Sequence, residues 1–373
     1  MNANATRSTP RVWILLSKGA GGNAQMRQLA AALGWPCVEK RLVYNRLGRL
    51  PNLLRGATRI GVDIQASDPL EPPWPDLVIG ASRRSAPVSR WIKRRSGAVN
   101  VHLLHAQAPL RHFDLIVTLP QYRLPRRPNV LHLTGALNRI PGADLARAAT
   151  RWEPELKGLP RPWIALIVGG NSSSYRFDPE TARRLGRQAD RLAHSEGGTL
   201  LVSTTPRTPH ESAEALLGEI DVPSYRYRFE ADDERNPYWG FLALADRLIV
   251  TVDSASLPME ACATGKPVQV FEWPRKPDRL RRLVSAPPLA GLYETAIAIG
   301  LVKPARDFDA YHRLLRKRGL TTRLGEPASP PVAPPDDLGA AVERVRALFP
   351  TESLPTEDVP TEDGARGAAH AGA

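Results

Sequence analysis

Cysteine is nearly absent from this 373-residue chain, and aromatic residues make up only 6% of it. The two cysteines, Cys37 and Cys262, stand far apart in apolar surroundings. That speaks against a disulfide framework or a zinc site and fits a reducing compartment such as the cytoplasm. Long apolar runs are missing too. The first, Val12 to Leu16, is too short for a signal-peptide core, and no run approaches the roughly 18 apolar residues of a membrane span. The expectation is a soluble protein, or one that touches membranes only at their surface. Acidic residues are scarce in the first part. Residues 1–150 carry 22 Lys and Arg against 7 Asp and Glu, and the remainder carries 29 against 31, so +15 and −2 make the net +13. A basic half draws polyanions by its long-range potential. An anionic membrane face or a phosphorylated acceptor fits. The arginines are spread over many segments, with no zinc-finger spacing and no aromatic RNA-binding signature, so nucleic acid is not expected as a partner.

At about 100 to 200 residues per domain, the length suggests two domains. Short apolar runs alternate with helical patterns, which is the mark of a doubly wound α/β architecture with parallel sheets. Strands are expected at 12–16, 76–80, 99–104, 114–118 and 129–133, with a helix over 23–33. The stretch "RWEPELKGLPRPW", residues 151–163, has three prolines and little periodicity and reads as a linker. Strands resume at 164–168, 199–203, 246–251 and 267–271, and Asp178-Pro179 is a helix start. The expected plan is therefore a flexible 1–10, a first Rossmann-like domain over 11–150, the linker, a second domain over 164–350, and a disordered tail over 351–373.

Ligands of such sheets bind beyond the carboxyl ends of the strands. Four loops there carry suitable chemistry. "SKGAGGNAQ", residues 17–25, is glycine-rich and opens a helix; Gly19, Gly21 and Ala24 satisfy a dinucleotide pattern with Glu39 as a ribose ligand, though a turn that only needed glycine reads the same. "VGGNSSSYRF", residues 168–177, offers Gly169, Gly170, Asn171 and Ser172 to phosphate. In "VSTTPRTP", Arg207 is suited to a two-pronged phosphate contact. In "VTVDSASLPMEACATGKPVQV", residues 250–270, Asp253 is followed by Ser254 and Ser256, either of which could cap a helix, and Glu260 follows among apolar neighbours. The alternative there is a capped helix with Glu260 facing solvent or an arginine.

Together with "PDLVIGASRRSAP", "FDLIVTLP", "NVLHLTGALNRI", "TPRTP" and "NPYWGFLALAD", these stretches give the chain, over roughly residues 11–350, a resemblance to the family named for the plant elongated-mitochondria fission factor. That family has many bacterial members and is similar to the GT-B glycosyltransferases. The resemblance implies two Rossmann-like domains facing across a cleft, with a sugar nucleotide held mainly by the second. It implies diphosphate at Ser254 and Ser256, ribose at Glu260, further phosphate oxygens at the Gly169 loop and Arg207, and Asn236 and Tyr238 flanking the base. Gly19, Gly21, Gly22, Asn23 and Gln25 would face the acceptor or the transferred sugar. Two departures bear on catalysis. Related peptidoglycan transferases carry His where this chain has Asn23, which is no base at neutral pH, and Gln121-Tyr122 replace the His-Asp the family favours. His102, His105 and Asp114 are the remaining titratable candidates, each with a structural alternative.

The leading expectation is a glycosyltransferase moving a sugar from a nucleoside diphosphate to a lipid-linked or envelope acceptor. It would need no metal and no cofactor beyond the donor, if arginine and helix amides neutralise the leaving diphosphate; Asp232-Asp233-Glu234 reads as a solvated charge run rather than a metal site. A sugar-nucleotide epimerase, a non-catalytic fission-type scaffold and an NAD-dependent oxidoreductase using residues 19–24 are the alternatives.

Overall fold

The computed structural model describes residues 9–137, 142–277, 287–303 and 306–349. The expected tail over 351–373, and all of the expected flexible N-terminus except Thr9 and Pro10, lie outside the described residues. The first half contains β1 (Val12–Leu16), α1 (Ala20–Leu33), β2 (Cys37–Arg41), α2 (Asn52–Arg55), β3 (Leu77–Ala81), α3 (Ser82–Ser96), β4 (Val99–Leu103), β5 (Leu115–Thr118) and β6 (Val130–His132). After α4 (Gly142–Leu156) come β7 (Trp163–Val168), α5 (Pro179–Glu196), β8 (Thr199–Thr204), α6 (His210–Leu217), β9 (Ser224–Tyr227), α7 (Tyr238–Leu244), β10 (Arg247–Thr251), α8 (Ser256–Cys262) and β11 (Val268–Phe271). The chain closes with α9 (Pro287–Ala298), α10 (Phe308–Lys317), β12 (Thr322–Arg323) and α11 (Asp337–Arg346).

The strands form two six-stranded sheets, ordered β2-β1-β3-β4-β5-β6 and β12-β11-β10-β7-β8-β9, and every named pairing is parallel. The pleat explains the apolar run of β1. Val12, Ile14 and Leu16 pack on one face with Met26 and Leu29 of α1, while Trp13 and Leu15 pack on the other with Val88 and Ile92 of α3. A strand covered on both faces has no polar side to show. Asp178 caps α5 as expected, its carboxylate accepting from the Thr181 amide at 2.9 Å with Pro179 in the first turn. No helix among the described residues is long and apolar enough to cross a membrane.

The carboxyl-end loops of the two sheets meet. A Cβ on Gly135, after β6, would lie 2.2 Å from Cγ of Met259 in α8. The Arg318 guanidinium donates to the Thr134 hydroxyl, and the Asp307 amide donates to the Gln121 carbonyl at 2.7 Å. These are two Rossmann-like domains facing one another, the GT-B-like arrangement.

Several helices depart from the expected boundaries. Residues 151–156 are the last turns of α4 rather than a linker. The apolar face begins earlier in the chain, with Leu145 and Leu156 packed on the second domain's core and Trp152 edge-on to Tyr225 beside it, so residues 151–163 alone conceal the period. Conversely, Ile297 and Ala298 of α9 and Ala341 and Val345 of α11 are buried in the first domain's core. The chain thus returns to its starting domain at its C-terminal end.

Candidate nucleotide site

In the second sheet the chain winds outward from β7 through β8 to β9, then crosses to β10 on the other side of β7. The loops after β7 and β10 diverge at that switch, which opens a crevice at the carboxyl ends. Three of the expected loops converge there, drawn together by one buried carboxylate. The Asp253 side chain has 0% exposure; Oδ2 lies 2.7 Å from an Arg207 nitrogen and accepts from the Gly170 amide at 3.0 Å, while Oδ1 accepts from the Thr251 hydroxyl at 2.7 Å. Thr251 Oγ1 in turn accepts from the Gly169 amide at 2.8 Å. A buried charge survives only with such partners. Asp253 therefore positions Arg207 and the loops rather than facing a ligand itself.

The same geometry changes the reading of Gly169, Gly170, Asn171 and Ser172. Their amides are occupied: by Thr251, Asp253, the Arg207 carbonyl at 2.9 Å and the Tyr175 carbonyl at 3.1 Å, in that order. The glycines answer to close packing instead, since a Cβ would meet Asp253 Oδ1 at 2.2 Å from Gly169 and the Arg207 carbonyl oxygen at 2.0 Å from Gly170. Asn171 Oδ1 accepts from the Phe177 amide and Ser172 Oγ from the Tyr175 amide, so these side chains brace their own loop.

Arg207, with 40% of its side chain exposed, and the Ser254 and Ser256 hydroxyls, 3.4 Å apart, remain for a ligand. Ala255 holds the N-cap position of the seven-residue α8, and Ser254 Oγ accepts from the Leu257 amide at 3.3 Å, bracing the start of the helix from just outside it. Glu260, one turn on, is half-buried and accepts a hydrogen bond from the Tyr238 hydroxyl. Burial first, then the Glu260 charge and that hydrogen bond, push the phenol far above its ordinary pKa, so it stays a donor. Asn236 Oδ1 accepts from the Tyr238 amide at 3.0 Å, which fixes the start of α7. Residues that sequence reasoning passed over complete the frame. Thr208 Oγ1 donates to the Val168 carbonyl at 3.0 Å, the Tyr311 hydroxyl to the Ala255 carbonyl at 2.7 Å, and Lys276 Nζ to the Ser172 carbonyl at 2.9 Å. A threonine or tyrosine in a mixed run gives no sequence signal of such a role.

In the first domain the glycine loop is the start of α1, with Gly19 at the N-cap and Gly21, Gly22 and Asn23 already helical. The Asn23 side chain is taken up by the end of β1: Oδ1 accepts from the Ser17 amide at 3.1 Å and Nδ2 donates to the Ser17 carbonyl at 2.6 Å. Gln25, 6% exposed, links the Gly21 carbonyl to the Leu137 amide. Beside this loop opens a cavity of about 840 Å³ whose cations are Lys18, Arg27, Arg41, Arg46, Arg49 and Arg84. Glu39 is no ribose ligand in this arrangement. It sits in the middle of β2 and forms a bidentate pair with Arg27 at 2.7 and 2.8 Å.

The three titratable candidates are internal or engaged. His102 is fully buried with Nε2 at 2.8 Å from the Ser82 carbonyl, and burial pushes its pKa down to about 4. His105 is 8% exposed, accepts the Gln107 amide on Nδ1, and is pushed down to about 3 by burial and neighbouring cations. Asp114 is gripped by Lys93 at 2.6 Å and the Asn100 amide at 2.8 Å. Asp233 of the acidic run accepts from the Tyr227 hydroxyl and the Arg235 amide.

The family described as Mitochondrial fission ELM1 matches residues 20–347. The mitochondrial fission protein ELM1 of Arabidopsis thaliana is 30% identical over 223 residues, covering 52% of this chain and 51% of the plant protein, so the match spans about half that relative's length. An uncharacterized protein of Rickettsia prowazekii, RP120, is 24% identical over 295 residues, 70% of this chain and 82% of its own. Among solved structures, MurG of Acinetobacter baumannii aligns at 15% identity and a TM-score of 0.43, over 91% of this chain and 100% of that one. A UDP-GlcNAc 2-epimerase of Methanocaldococcus jannaschii aligns at 9% and 0.48, over 91% and 100%. The family match runs through both sheets and ends in the helix that returns to the first domain: the chain belongs to the mitochondrial fission ELM1 family.

Proposed function

We propose that the chain binds a nucleoside-diphosphate sugar at the carboxyl ends of β7, β8 and β10 and transfers the sugar to an acceptor held by the first domain. Arg207 carries the reading. Its guanidinium is partly exposed, yet one nitrogen is fixed on a wholly buried carboxylate. A long side chain ordered before its ligand arrives loses little freedom on binding, and the donors left over match phosphate oxygens. Ser254 and Ser256 supply hydroxyls beside it, and Glu260, aimed by Tyr238, takes ribose hydroxyls. Fixed donors stabilise the charge that grows on a leaving diphosphate, in this reading without a metal. The basic first domain favours a phosphorylated or lipid-linked acceptor, at the inner face of a membrane.

Thermal-shift measurements against UDP, GDP, CMP, ADP and NAD(H) test the donor half. One nucleoside diphosphate should stabilise the protein, by about 2.7 kcal/mol at a hundredfold excess over Kd. Glu260→Ala should abolish the shift, and so should Arg207→Lys, which keeps a charge opposite Asp253 but loses the fork. No shift with any nucleotide sinks the proposal.

A second reading, a nucleotide-binding scaffold that transfers nothing, is favoured by the enclosure of His102 and His105 and the engagement of Asp114. It predicts the same thermal shift without release of UDP from any UDP-sugar.

A further inference from the structure

The connection between β2 and β3 buries polar side chains at its centre and leaves a run of apolar ones exposed. Its polar side chains hold the interior. Arg55, 2% exposed, donates from Nε and Nη2 to the Ile60 carbonyl at 3.0 and 2.7 Å. Asn52, 1% exposed, donates to the carbonyls of Arg83 and Ala106 at 2.7 and 2.8 Å. From α3, the Arg83 guanidinium takes the carbonyls of Gly48, Arg49 and Leu50 at 3.1 Å. Leu42, Ala57, Val62 and Leu70 are buried with them, but a second set of apolar side chains points the other way. Leu47, Leu50, Leu53, Leu54, Ile60 and Ile64 are 54, 40, 51, 77, 51 and 65% exposed, six of the twelve large exposed hydrophobics among the described residues.

A loop that only had to join two strands would bury its leucines alongside Leu42 and Val62. Here the backbone is pinned from within, so the leucines are held in water by the fold rather than left there by slack. Such a patch marks an interaction surface. Its charge indicates the partner. From Arg41 to Ile64 the chain exposes four arginines, Arg41, Arg46, Arg49 and Arg59, against one acid, Asp63. Arg46 and Arg49 also line the cationic cavity beside the glycine loop, with Lys18, Arg41 and Arg84.

We infer that this face docks on a bilayer containing anionic lipids, with the leucines entering the acyl boundary and the flanking arginines meeting headgroup phosphates. The inference extends the acceptor half of the proposed function, and rests on that reading only for what the membrane would supply; the docking stands without it.

Flotation of the full chain with vesicles of phosphatidylcholine, alone or mixed with phosphatidylglycerol, tests it. The protein should float with the mixed vesicles and not with the neutral ones. The double variant Leu53→Ser, Leu54→Ser should lose affinity for mixed vesicles by at least about tenfold, because two inserting side chains are gone. It should keep the wild-type melting temperature, since neither side chain is buried. Arg46→Gln with Arg49→Gln should also weaken flotation, by a margin that shrinks as salt is raised and screens the wild type's own charge. Failure of the wild type to float, equal binding to both vesicle types, or a leucine variant that floats like wild type overturns the inference. So does a wild-type dimer that the leucine variant makes monomeric with no vesicle binding, which assigns the face to a second copy. A leucine variant that fails to float but keeps its nucleotide shift separates docking from donor binding. Floating protein without any nucleotide shift sinks the donor reading alone.

Discussion

Glycine at 170 and glycine at 21 look equivalent in the sequence, each within a glycine-rich turn after a strand, and the structure gives them opposite roles. A Cβ on Gly170 would sit 2.0 Å from a backbone oxygen, whereas one on Gly21 would meet nothing within 4 Å. Gly170→Ala should therefore cost about 3 kcal/mol, at the upper end of overpacking, and Gly21→Ala, inside α1, should stabilise by about 0.5 to 1 kcal/mol. Chemical denaturation of the two variants checks this, and equal effects would show that the first loop is as tightly packed as the second. A second residue-scale prediction concerns pH. Burial depresses His102 from 6.5 to about 4, against the Ser82 carbonyl that favours its proton. A His with a lowered folded pKa contributes its stability above the unfolded value and loses it as pH falls from 6.5 toward 4, here by up to roughly 3 kcal/mol. His105 adds a loss of the same sign, continuing to lower pH. His102→Gln should flatten the melting temperature against pH over that window without levelling it. An unchanged profile would mean that His102 does not titrate on unfolding.

Among elements, what could be read from the sequence follows burial. Strands covered on both faces, such as β1, β3 and β7, are uninterrupted apolar runs, and the expected limits fall within one residue of the observed ones. The strands that escaped notice, β2, β9 and β12, all lie at sheet edges. β2 reads Cys-Val-Glu-Lys-Arg and is mostly exposed, so its pairing with β1 leaves no hydrophobic trace. Placing the strands placed their carboxyl ends, and with them Arg207, Ser254, Ser256 and Glu260. What the loops do to one another was not legible, because the hydrogen bonds that decide it join residues more than eighty apart, as Gly169 joins Thr251 and Gly170 joins Asp253. A phosphate nest and a tightly packed glycine pair are written with the same letters.

At the scale of the whole molecule, domain membership does not follow chain order. α11 is separated from α1 by the entire second domain, yet Ala341 and Val345 are fully buried with Met26, Leu29 and Leu33. Its first carboxylate, Asp337, accepts from the Thr134 and Gly135 amides at 2.9 and 2.8 Å, at the very loop that packs on Met259 of α8. The helix therefore completes the first domain's core and ties that core to the place where the domains meet. Val345→Asp puts a carboxylate into this apolar cluster, a change that costs about 3 kcal/mol or more. The damage should follow packing rather than sequence. Hydrogen exchange should quicken in the α1 amides, Ala20 to Leu33, and stay near wild type in α5, Pro179 to Glu196, although α5 is closer in the chain. Faster exchange confined to the second domain would place α11 with the sheet that precedes it, and equal acceleration in both would make the two domains one cooperative unit.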